Sequence, residues 1–106
     1  SRALKIVEDH ISDSEFGVDQ FVEEMAIGRT QLYKKIKSLT NQPINDFIRS
    51  IRLKRSAQLL LQKNRTIAEI AYETGFNYPE YFTKCFKKEF GMLPTEYIDK
   101  AGEQAG

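Results

Sequence analysis

Residues 67–88 read IAEIAYETGFNYPEYFTKCFKK, a stretch with two helix-like patterns on either side of Gly75. Thr66 and Glu69 have the spacing of a capping box, in which each side chain bonds to the backbone amide of the other residue, so a helix is predicted to begin there. Gly75 is a residue type that tolerates the left-handed backbone at a helix end. Pro79 can open a second helix, because its missing N–H would have no partner in the first turn. The stretch therefore predicts two helices joined by a tight turn, the second with a polar, aromatic and basic outer face.

A related pattern occurs 49 to 50 residues earlier in the chain. The aligned pairs are Phe21-Val22 with Ile70-Ala71, Leu32 with Phe82, Ile36 with Phe86, Lys37 with Lys87, Asn41 with Gly91 and Phe47 with Tyr97. The offset grows by one within the turn, so the second turn has one extra residue. Each unit consists of a short helix, a tight turn, a second helix with a polar and basic outer face, then Gly or Asn and a Pro. This order is typical of a helix-turn-helix, here present twice.

The apolar spacing in the rest of the chain predicts further helices, and no segment alternates with period two for long enough to indicate a strand. The predicted helices cover residues 2–12, Val18 to near Gly28, Arg29 to the break at Asn41, Pro43 to about Gln62, Thr66 to Gly75, Pro79 to Gly91, and Pro94 through Ile98. Leu32, Ile36 and Leu39 are predicted to face inward. We therefore expect an all-α chain of about seven helices, built from homeodomain-like three-helix units.

These helices divide the chain into two helix-turn-helix subdomains, residues 1–42 and 63–100. A long linker helix over residues 43–62 joins them, and a frayed tail is expected at residues 101–106. The organisation is therefore two similar lobes on a common helix.

The composition limits the classes of function. The chain has 106 residues, of which 41% are hydrophobic and 29% charged, enough for one domain with its own core. No apolar run approaches the roughly 18 residues of a membrane span, and the N-terminus lacks the apolar region of a secretory signal. We therefore expect a cytoplasmic protein whose domain makes no membrane contact.

The sequence offers no arrangement of residues that indicates catalysis. His10 is the only histidine and Cys85 the only cysteine, so neither a histidine-based catalytic pair nor a disulfide can form within the chain. A Gly-rich phosphate loop, a convergent nucleophile and Cys/His metal spacing are also missing from the sequence. The chain is therefore predicted not to be an enzyme and to need no cofactor or metal.

The net charge of +1 hides a strong segregation of charge along the chain. Residues 1–28 carry a net charge of −5, residues 29–65 carry +9, and residues 66–106 carry −3. A solvated helical face usually mixes both signs, so the central basic block indicates a surface that faces a polyanion.

The second unit resembles the signature of the AraC/XylS-type transcription regulators. The residues that carry the resemblance are I-A-x-I-A from Ile67, G-F from Gly75, Y-F-x-x-x-F-K from Tyr81, Gly91, Pro94 and Tyr97. The first unit, with Leu32-Tyr33-x-Lys35-x-Lys37, and the linker from Phe47 to Leu60 are similar to the N-terminal unit and linker helix of that family. The resemblance covers about residues 17–98. The chain is also similar to the C-terminal DNA-binding domains of hybrid two-component regulators of gut Bacteroidetes. It implies sequence-specific DNA binding and transcription regulation, as the output domain of a larger regulator.

The resemblance also implies which side chains face the bases of DNA. These are Thr30, Gln31, Tyr33 and Lys34 in the first unit and Glu80, Tyr81, Thr83 and Lys84 in the second. Lys34 or Lys84 can donate to guanine, and Gln31 can pair with adenine. Glu80 can accept from cytosine, and Thr30 or a tyrosine ring can contact the thymine methyl group. Phosphate contacts are assigned to Arg29, Lys35, Lys37, Arg49, Thr66, Lys87 and Lys88, with Thr66 acting through a helix N-terminus.

The linker helix leads to a geometric expectation. At about 1.5 Å per residue it is roughly 28–30 Å long, which would place the two recognition helices about one DNA turn, ~34 Å, apart in successive major grooves. One monomer would then read a bipartite, non-palindromic site in promoter DNA, and the parent regulator is expected to be a dimer that also contacts RNA polymerase. Arg52 and Arg55 lie on this helix, and they are expected either to pair with Asp46 or Glu69 or to contact DNA.

Two other functions remain compatible with the residues. In a protein-interaction module without sequence-specific DNA readout, the run Leu59 to Leu61 and the aromatic residues Tyr78, Tyr81 and Phe82 would dock a partner. In an RNA-binding module, Tyr78 and Tyr81 would stack on bases. A steep dependence of binding on salt favours phosphate contact over a hydrophobic interface, and a preference for duplex over single strands favours DNA.

Overall fold

The computed structural model describes residues 1–105. This part of the chain contains seven α-helices, joined by turns and short loops, and no strand. The helices are α1 (Arg2–Asp9), α2 (Val18–Met25), α3 (Arg29–Thr40), α4 (Ile44–Gln62), α5 (Ile67–Glu73), α6 (Pro79–Phe90) and α7 (Pro94–Ala105). None of these helices is both long enough and apolar enough to cross a bilayer. The predicted all-α class with two helix-turn-helix units is confirmed.

Helix α4 is shared by both units, and it buries a different face toward each. In its N-terminal half Ile44, Ile48 and Ile51 belong to the first core, whereas in its C-terminal half Leu53 and Ala57, with Leu59 and Leu60, belong to the second. At 3.6 residues per turn Leu53, Ala57 and Leu60 lie roughly opposite the first set, whereas Leu59 lies at an intermediate angle. The two units therefore pack on opposite sides of one continuous helix.

Each unit has its own hydrophobic core. In the first unit α1, α2 and α3 assemble at the start of α4, and Phe21 and Leu32 are fully buried. In the second, α5, α6 and α7 pack at the C-terminal half of α4. There the Phe82 ring lies 5.2 Å from that of Phe76 and 5.8 Å from that of Phe86. Since burial of apolar surface is the main favourable term in packing, each unit is held to α4 by its own side chains.

Arg52 lies where the buried face of α4 reverses, and its side chain is buried between the two units. Its Nη1 donates to the carbonyl oxygens of Ile11 at 2.6 Å and Thr74 at 3.1 Å. Its Nη2 donates to the carbonyl oxygens of Asp13 at 3.0 Å and Phe16 at 3.1 Å. Burial lowers the pKa of the Arg52 guanidinium, while the negative charge of Asp13 opposes that shift. The α1–α2 loop of the first unit and the end of α5 in the second thus meet at one side chain.

The carboxylate partners expected for the linker arginines are not the ones they use. Arg52 pairs with backbone carbonyls, and Arg55 is exposed and donates to Gln58 at 3.0 Å. Asp46 pairs with Arg49 instead, and Glu69 is engaged at the start of α5. Local partners on the same helix turn therefore take both carboxylates.

The turns of the two units use the same left-handed backbone with different residues. Ala26 ends α2 with φ 60°, and Gly75 occupies the matching place after α5 with φ 87°. The predicted end of α2 near Gly28 is therefore late, because Gly28 has φ −57° and serves as the N-cap of α3. In the second unit Arg52 and the backbone of Ile11 also lie close to Gly75. A Cβ there would lie 1.5 Å from Nη1 of Arg52 and 2.7 Å from the carbonyl oxygen of Ile11.

Two helix ends differ from those predicted. Helix α1 ends at Asp9 rather than at residue 12, because the amides of His10, Ile11 and Asp13 donate to carbonyl oxygens three residues earlier, in consecutive turns. Helix α7 continues to Ala105, so residues 101–105 of the expected frayed tail are helical, and Gly106 lies outside the described residues. Apart from one glycine, the sequence of this last stretch contains good helix formers, which explains the continuation.

Leu39, predicted from the sequence to face inward, is exposed, and so is Leu61 on α4. Leu39 is 72% exposed because the buried stripe of α3 runs through Leu32, Ile36 and the half-buried Thr40, at intervals of four residues. Leu61 is 46% exposed, since Leu60 and Leu59 already fill the face of α4 that meets the second core. A run of leucines on α4 thus covers both a buried and an exposed surface.

The close approach at Gly75 predicts the result of an alanine substitution. Gly91 is the matched control, because it also has a left-handed backbone (φ 76°) but open space around its Cα. We expect Gly91→Ala to lower the free energy of unfolding by about 1–2 kcal/mol, the cost of the left-handed backbone alone. Gly75→Ala must in addition displace the Arg52 guanidinium, so we expect a loss larger by roughly 1–3 kcal/mol. Urea denaturation of both variants measures the difference, and equal losses would contradict the packing described at Gly75.

Candidate DNA interface

The exposed face of α3 carries the first set of predicted base-reading residues. Only a narrow stripe on this helix, formed by Leu32 and Ile36, is fully buried. The helix begins at Arg29, so the predicted positions lie on its first two turns. The structure exposes all four of them: Thr30, Gln31, Tyr33 and Lys34. Side chains on the first turns of a helix are those that reach base edges in a major groove.

The second set lies on α6 in a less uniform environment. Glu80 and Lys84 are exposed, whereas Thr83 is half-buried. Tyr81 is 48% exposed, and its ring lies 6.1 Å from that of Phe76 in the preceding turn. The structure therefore places the four residues on the first two turns of α6, but it leaves two of them partly covered.

Arg49 connects the linker helix to the second recognition helix. It forms an ion pair with Asp46 on α4, and its Nη1 donates to the hydroxyl group of Tyr81 at 3.4 Å. A predicted phosphate contact and a predicted base-reading residue are thus neighbours. Sequence reasoning missed this contact because the two residues are 32 positions apart.

Arg29 at the start of α3 is already paired within the protein. Its Nη2 lies 2.7 Å from the carboxylate of Asp19 on α2, and the hydrogen bond to Asp19 raises the pKa of the Arg29 guanidinium. Both side chains are well exposed, so the pair itself contributes little to stability. A phosphate at this position would compete with Asp19 for the guanidinium.

The remaining lysines predicted to contact phosphate are all exposed. They are Lys35 and Lys37 on α3 and Lys87 and Lys88 on α6. Lys37, Lys87 and Lys88 occupy the last turns of their helices, where positive charge also stabilises the helix dipole. Exposure on flexible stems allows these ammonium groups to reach a nearby anion.

Thr66 is engaged in a complete capping box at the start of α5. Its amide donates to Oε1 of Glu69 at 2.8 Å, and the amide of Glu69 donates to the Thr66 hydroxyl at 3.1 Å. The hydrogen bond from the Thr66 amide to the carboxylate lowers the pKa of the Glu69 carboxyl. A phosphate bound to the Thr66 amide would therefore have to replace a carboxylate that already accepts it.

A groove between the two units adds polar side chains that the sequence did not single out. It has a volume of about 360 Å³ and lies between the start of α2, the exposed side of α4 and the turn before α6. Asn45, Asn77 and Tyr78 line it beside Arg49 and Tyr81. Asn45 precedes Arg49 by four residues on α4, and this spacing is the signal in the sequence that indicates a shared exposed face.

Half of the residues named for the docking surface of the protein-interaction alternative are buried. Leu59, Leu60 and Phe82 are buried in the second core. Of the residues named for that docking surface, Leu61, Tyr78 and Tyr81 are exposed. Tyr78 and Tyr81 both line the groove beside Arg49, a setting that is polar as well as aromatic.

Comparison with protein families and curated relatives adds independent findings. The family model described as Helix-turn-helix domain matches residues 21–100. Histidine kinase P4 of Formosa agariphila is 46% identical to this chain over 103 residues, which is 97% of the chain. The chain spans only 8% of the length of that relative.

Solved structures share the same arrangement of helices. The C-terminal domain of AraT, a response regulator from Geobacillus stearothermophilus, superposes with a TM-score of 0.83 and 28% identity, covering 93% of this chain and 82% of that domain. The DNA-binding domain of AdpA, a global transcriptional factor solved in complex with a target DNA, superposes with a TM-score of 0.85 over 97% of this chain and 92% of that one. At 18% identity the second match shows a shared fold.

The capping box predicts a specific dependence of stability on pH. Because the pKa of Glu69 is lowered in the folded state, its carboxylate stabilises the fold above its unfolded pKa of roughly 4.3, and this contribution is lost as the pH falls through the lower folded value. Glu69→Gln keeps an acceptor at this position but does not titrate. We therefore expect the advantage of wild type over Glu69→Gln in the free energy of unfolding to shrink progressively as the pH falls below about 5.

Urea denaturation at several pH values measures this advantage. Glu8→Gln on α1 is the matched control, because it removes an exposed carboxylate that is not part of a cap. An advantage of wild type over Glu69→Gln that stays constant down to pH 3 would show that the cap does not stabilise the charged form.

Proposed function

Since the chain belongs to the Helix-turn-helix domain family of AraC type, a family of sequence-specific DNA-binding domains of transcription regulators, we propose that α3 and α6 enter two successive major grooves of duplex DNA. The observation that carries this proposal is the duplication of one design. Each recognition helix fully buries only a narrow apolar stripe and exposes polar and basic residues on its other side. Both are attached to opposite sides of the same helix, α4.

The length of α4 supports simultaneous engagement of both units. Its 19 residues span about 28 Å at 1.5 Å per residue, comparable with the ~34 Å between equivalent points of adjacent major grooves. The units repeat along the chain in the same order, so the site they read is bipartite and not palindromic. If straight DNA must bend to meet both helices, the bend costs on the order of 1–6 kcal/mol.

Base readout is proposed for residues on the first two turns of α3 and α6. The proposed readers are Thr30, Gln31, Tyr33, Lys34, Glu80, Tyr81, Thr83 and Lys84. Proposed phosphate contacts are Arg29, Lys35, Lys37, Arg49, Thr66, Lys87 and Lys88. The first unit is proposed to bind more strongly, because α6 presents the carboxylate of Glu80 and its Tyr81 is held by Arg49.

In this proposal the chain is the DNA-binding output domain of a larger regulator, which supplies dimerisation. The chain corresponds to a small part of a histidine kinase relative and to the C-terminal domain of a response regulator, which supports an output role in a two-component system of the cytoplasm. We infer that the isolated domain is a monomer, that the parent is a dimer binding two such sites, and that RNA polymerase is its further partner. The domain itself is proposed to act without a cofactor and without catalysis.

Selection of the domain against a random duplex library at moderate salt tests the proposal. We expect an enriched sequence of two blocks with centres about 10 bp apart and without internal symmetry. The logarithm of the binding constant should fall with the logarithm of salt concentration by about 0.9 per phosphate contacted. A single block would restrict base readout to one unit. The absence of both enrichment and salt dependence would overturn DNA binding and favour the protein-interaction alternative.

Two adjacent lysines on α3 distinguish readout from anchoring. Lys34→Ala should weaken binding to the selected site and relax the preference in one block, by roughly 1–3 kcal/mol for a bidentate guanine contact. Lys35→Ala, its matched control in charge and length, should weaken binding to all sequences alike and reduce the salt slope by about 1. Fluorescence anisotropy titrations on sites with single base changes measure both effects. Uniform weakening by both variants would assign Lys34 to phosphate, and Lys84→Ala repeats the test for the second block.

A further inference from the structure

We propose that Arg52 sets the distance and orientation between the two DNA-reading units, and thereby selects the spacing between the two blocks of the site. The inference rests on the proposed function, because it assumes that both units engage DNA. Arg52 does not face DNA in this role. It is a positioning residue that acts through the α1–α2 loop of the first unit and the end of α5 in the second.

The first line of evidence is the lack of extensive helix–helix packing between the units. Helices α1 and α3 pack against α4, and so do α5, α6 and α7, but the described residues show no extensive packing of α1, α2 or α3 directly against α5, α6 or α7. The two hydrophobic cores use opposite sides of α4 and contain separate sets of residues. Apolar packing therefore fixes each unit to α4 separately, and the relative placement of their loops depends on other contacts.

Arg52 supplies those contacts in a fixed geometry. One nitrogen of its guanidinium, Nη1, holds a carbonyl from each unit, namely Ile11 at 2.6 Å and Thr74 at 3.1 Å. The other nitrogen holds the carbonyls of Asp13 and Phe16. The guanidinium is a planar fork whose donors keep fixed directions, so the backbone of the second unit cannot shift relative to the first without loss of a bond to a buried cation.

Gly75 shows how tightly the units meet at this point. A Cβ on Gly75 would lie within 1.5 Å of Nη1 of Arg52 and 2.7 Å from the carbonyl oxygen of Ile11. Only a glycine allows the turn before α6 to approach both the guanidinium and the backbone of the first unit. The turn that orients α6 is therefore seated on the same group that holds the α1–α2 loop.

A rigid connection between the two units affects which spacings of the two DNA blocks they can bind together. Each additional base pair moves the second block by about 3.4 Å along the axis and rotates it by roughly 35°. A rigid pair of recognition helices cannot follow this displacement, whereas two units connected only through α4 can adjust by bending or twisting. The contact at Arg52 thus makes the affinity for DNA depend on the distance between the two blocks of the site.

The test compares spacing profiles of wild type and Arg52→Lys. Lysine keeps the positive charge, but it offers three donors on one flexible nitrogen in place of the fork. Arg55→Lys is the matched control, because Arg55 lies on the same helix, is exposed and donates only to Gln58 among the described residues. Affinity is measured for duplexes that carry the selected blocks with the spacer shortened or lengthened by one and two base pairs.

We expect wild type and Arg55→Lys to lose about tenfold or more in affinity for each base pair added or removed, comparable to the loss of one good base contact. Arg52→Lys should lose no more than about threefold, while its preference within each block is unchanged. Ratios are taken within one variant, so a general loss of stability does not alter them. An Arg52→Lys profile as steep as that of wild type would overturn the proposal. If wild type binds no specific duplex at any spacing, the proposed function fails instead.

Residual dipolar couplings of the wild-type domain in solution provide a second measurement that needs neither DNA nor a variant. If Arg52 locks the units together, one alignment tensor should fit the amide couplings of both. Two distinct tensors, one for α1–α3 and one for α5–α7, would overturn the proposal even if Arg52→Lys fails to fold.

Discussion

The reversal of the buried face along α4 is the constraint on which the rest of the structure depends. Ile48 and Ile51 point into one core, and Leu53 and Ala57, little more than a turn later, point into another. A continuous helix can hold two units in this way only if they approach from opposite sides. The 47 × 24 × 22 Å dimensions of the molecule follow from that arrangement. Two similar helix-turn-helix units thus become an elongated pair.

The crossing point between the two cores is polar because backbone groups from both units end there. Four carbonyl groups converge on the Arg52 guanidinium, and each would be costly to leave buried without a donor. An arginine can satisfy all four at once, which no apolar residue and no single lysine can do. The same requirement explains why Gly75 carries no side chain, since the guanidinium occupies that space. Arg52 and Gly75, which look independent in the sequence, thus belong to one contact.

The electrostatic surface is less basic than the sequence indicates. The segment from residue 29 to 65 carries a net charge of +9, but Arg52 is buried and three other arginines of this segment pair with carboxylates. These pairs are Arg29 with Asp19, Arg49 with Asp46, and Arg65 with Glu73. The lysines of α3 remain exposed. Lys54, Arg55 and Lys63, on α4 and at its end, are exposed as well. The positive charge available to a polyanion is therefore divided between the first recognition helix and the linker helix.

The sequence by itself determined the helices, their repeat and the two exposed recognition faces. Capping boxes, prolines and left-handed turn residues act within a few positions of the chain, and the capping box at Thr66 is present as predicted. The prediction that Leu39 faces inward was wrong, because the exposure of a helical residue depends on which neighbour covers the helix. Only the tertiary structure decided that Arg52 joins the units, through carbonyls 22 to 41 residues away. A backbone carbonyl is the same chemical group in every residue, so no sequence pattern can indicate which ones will converge.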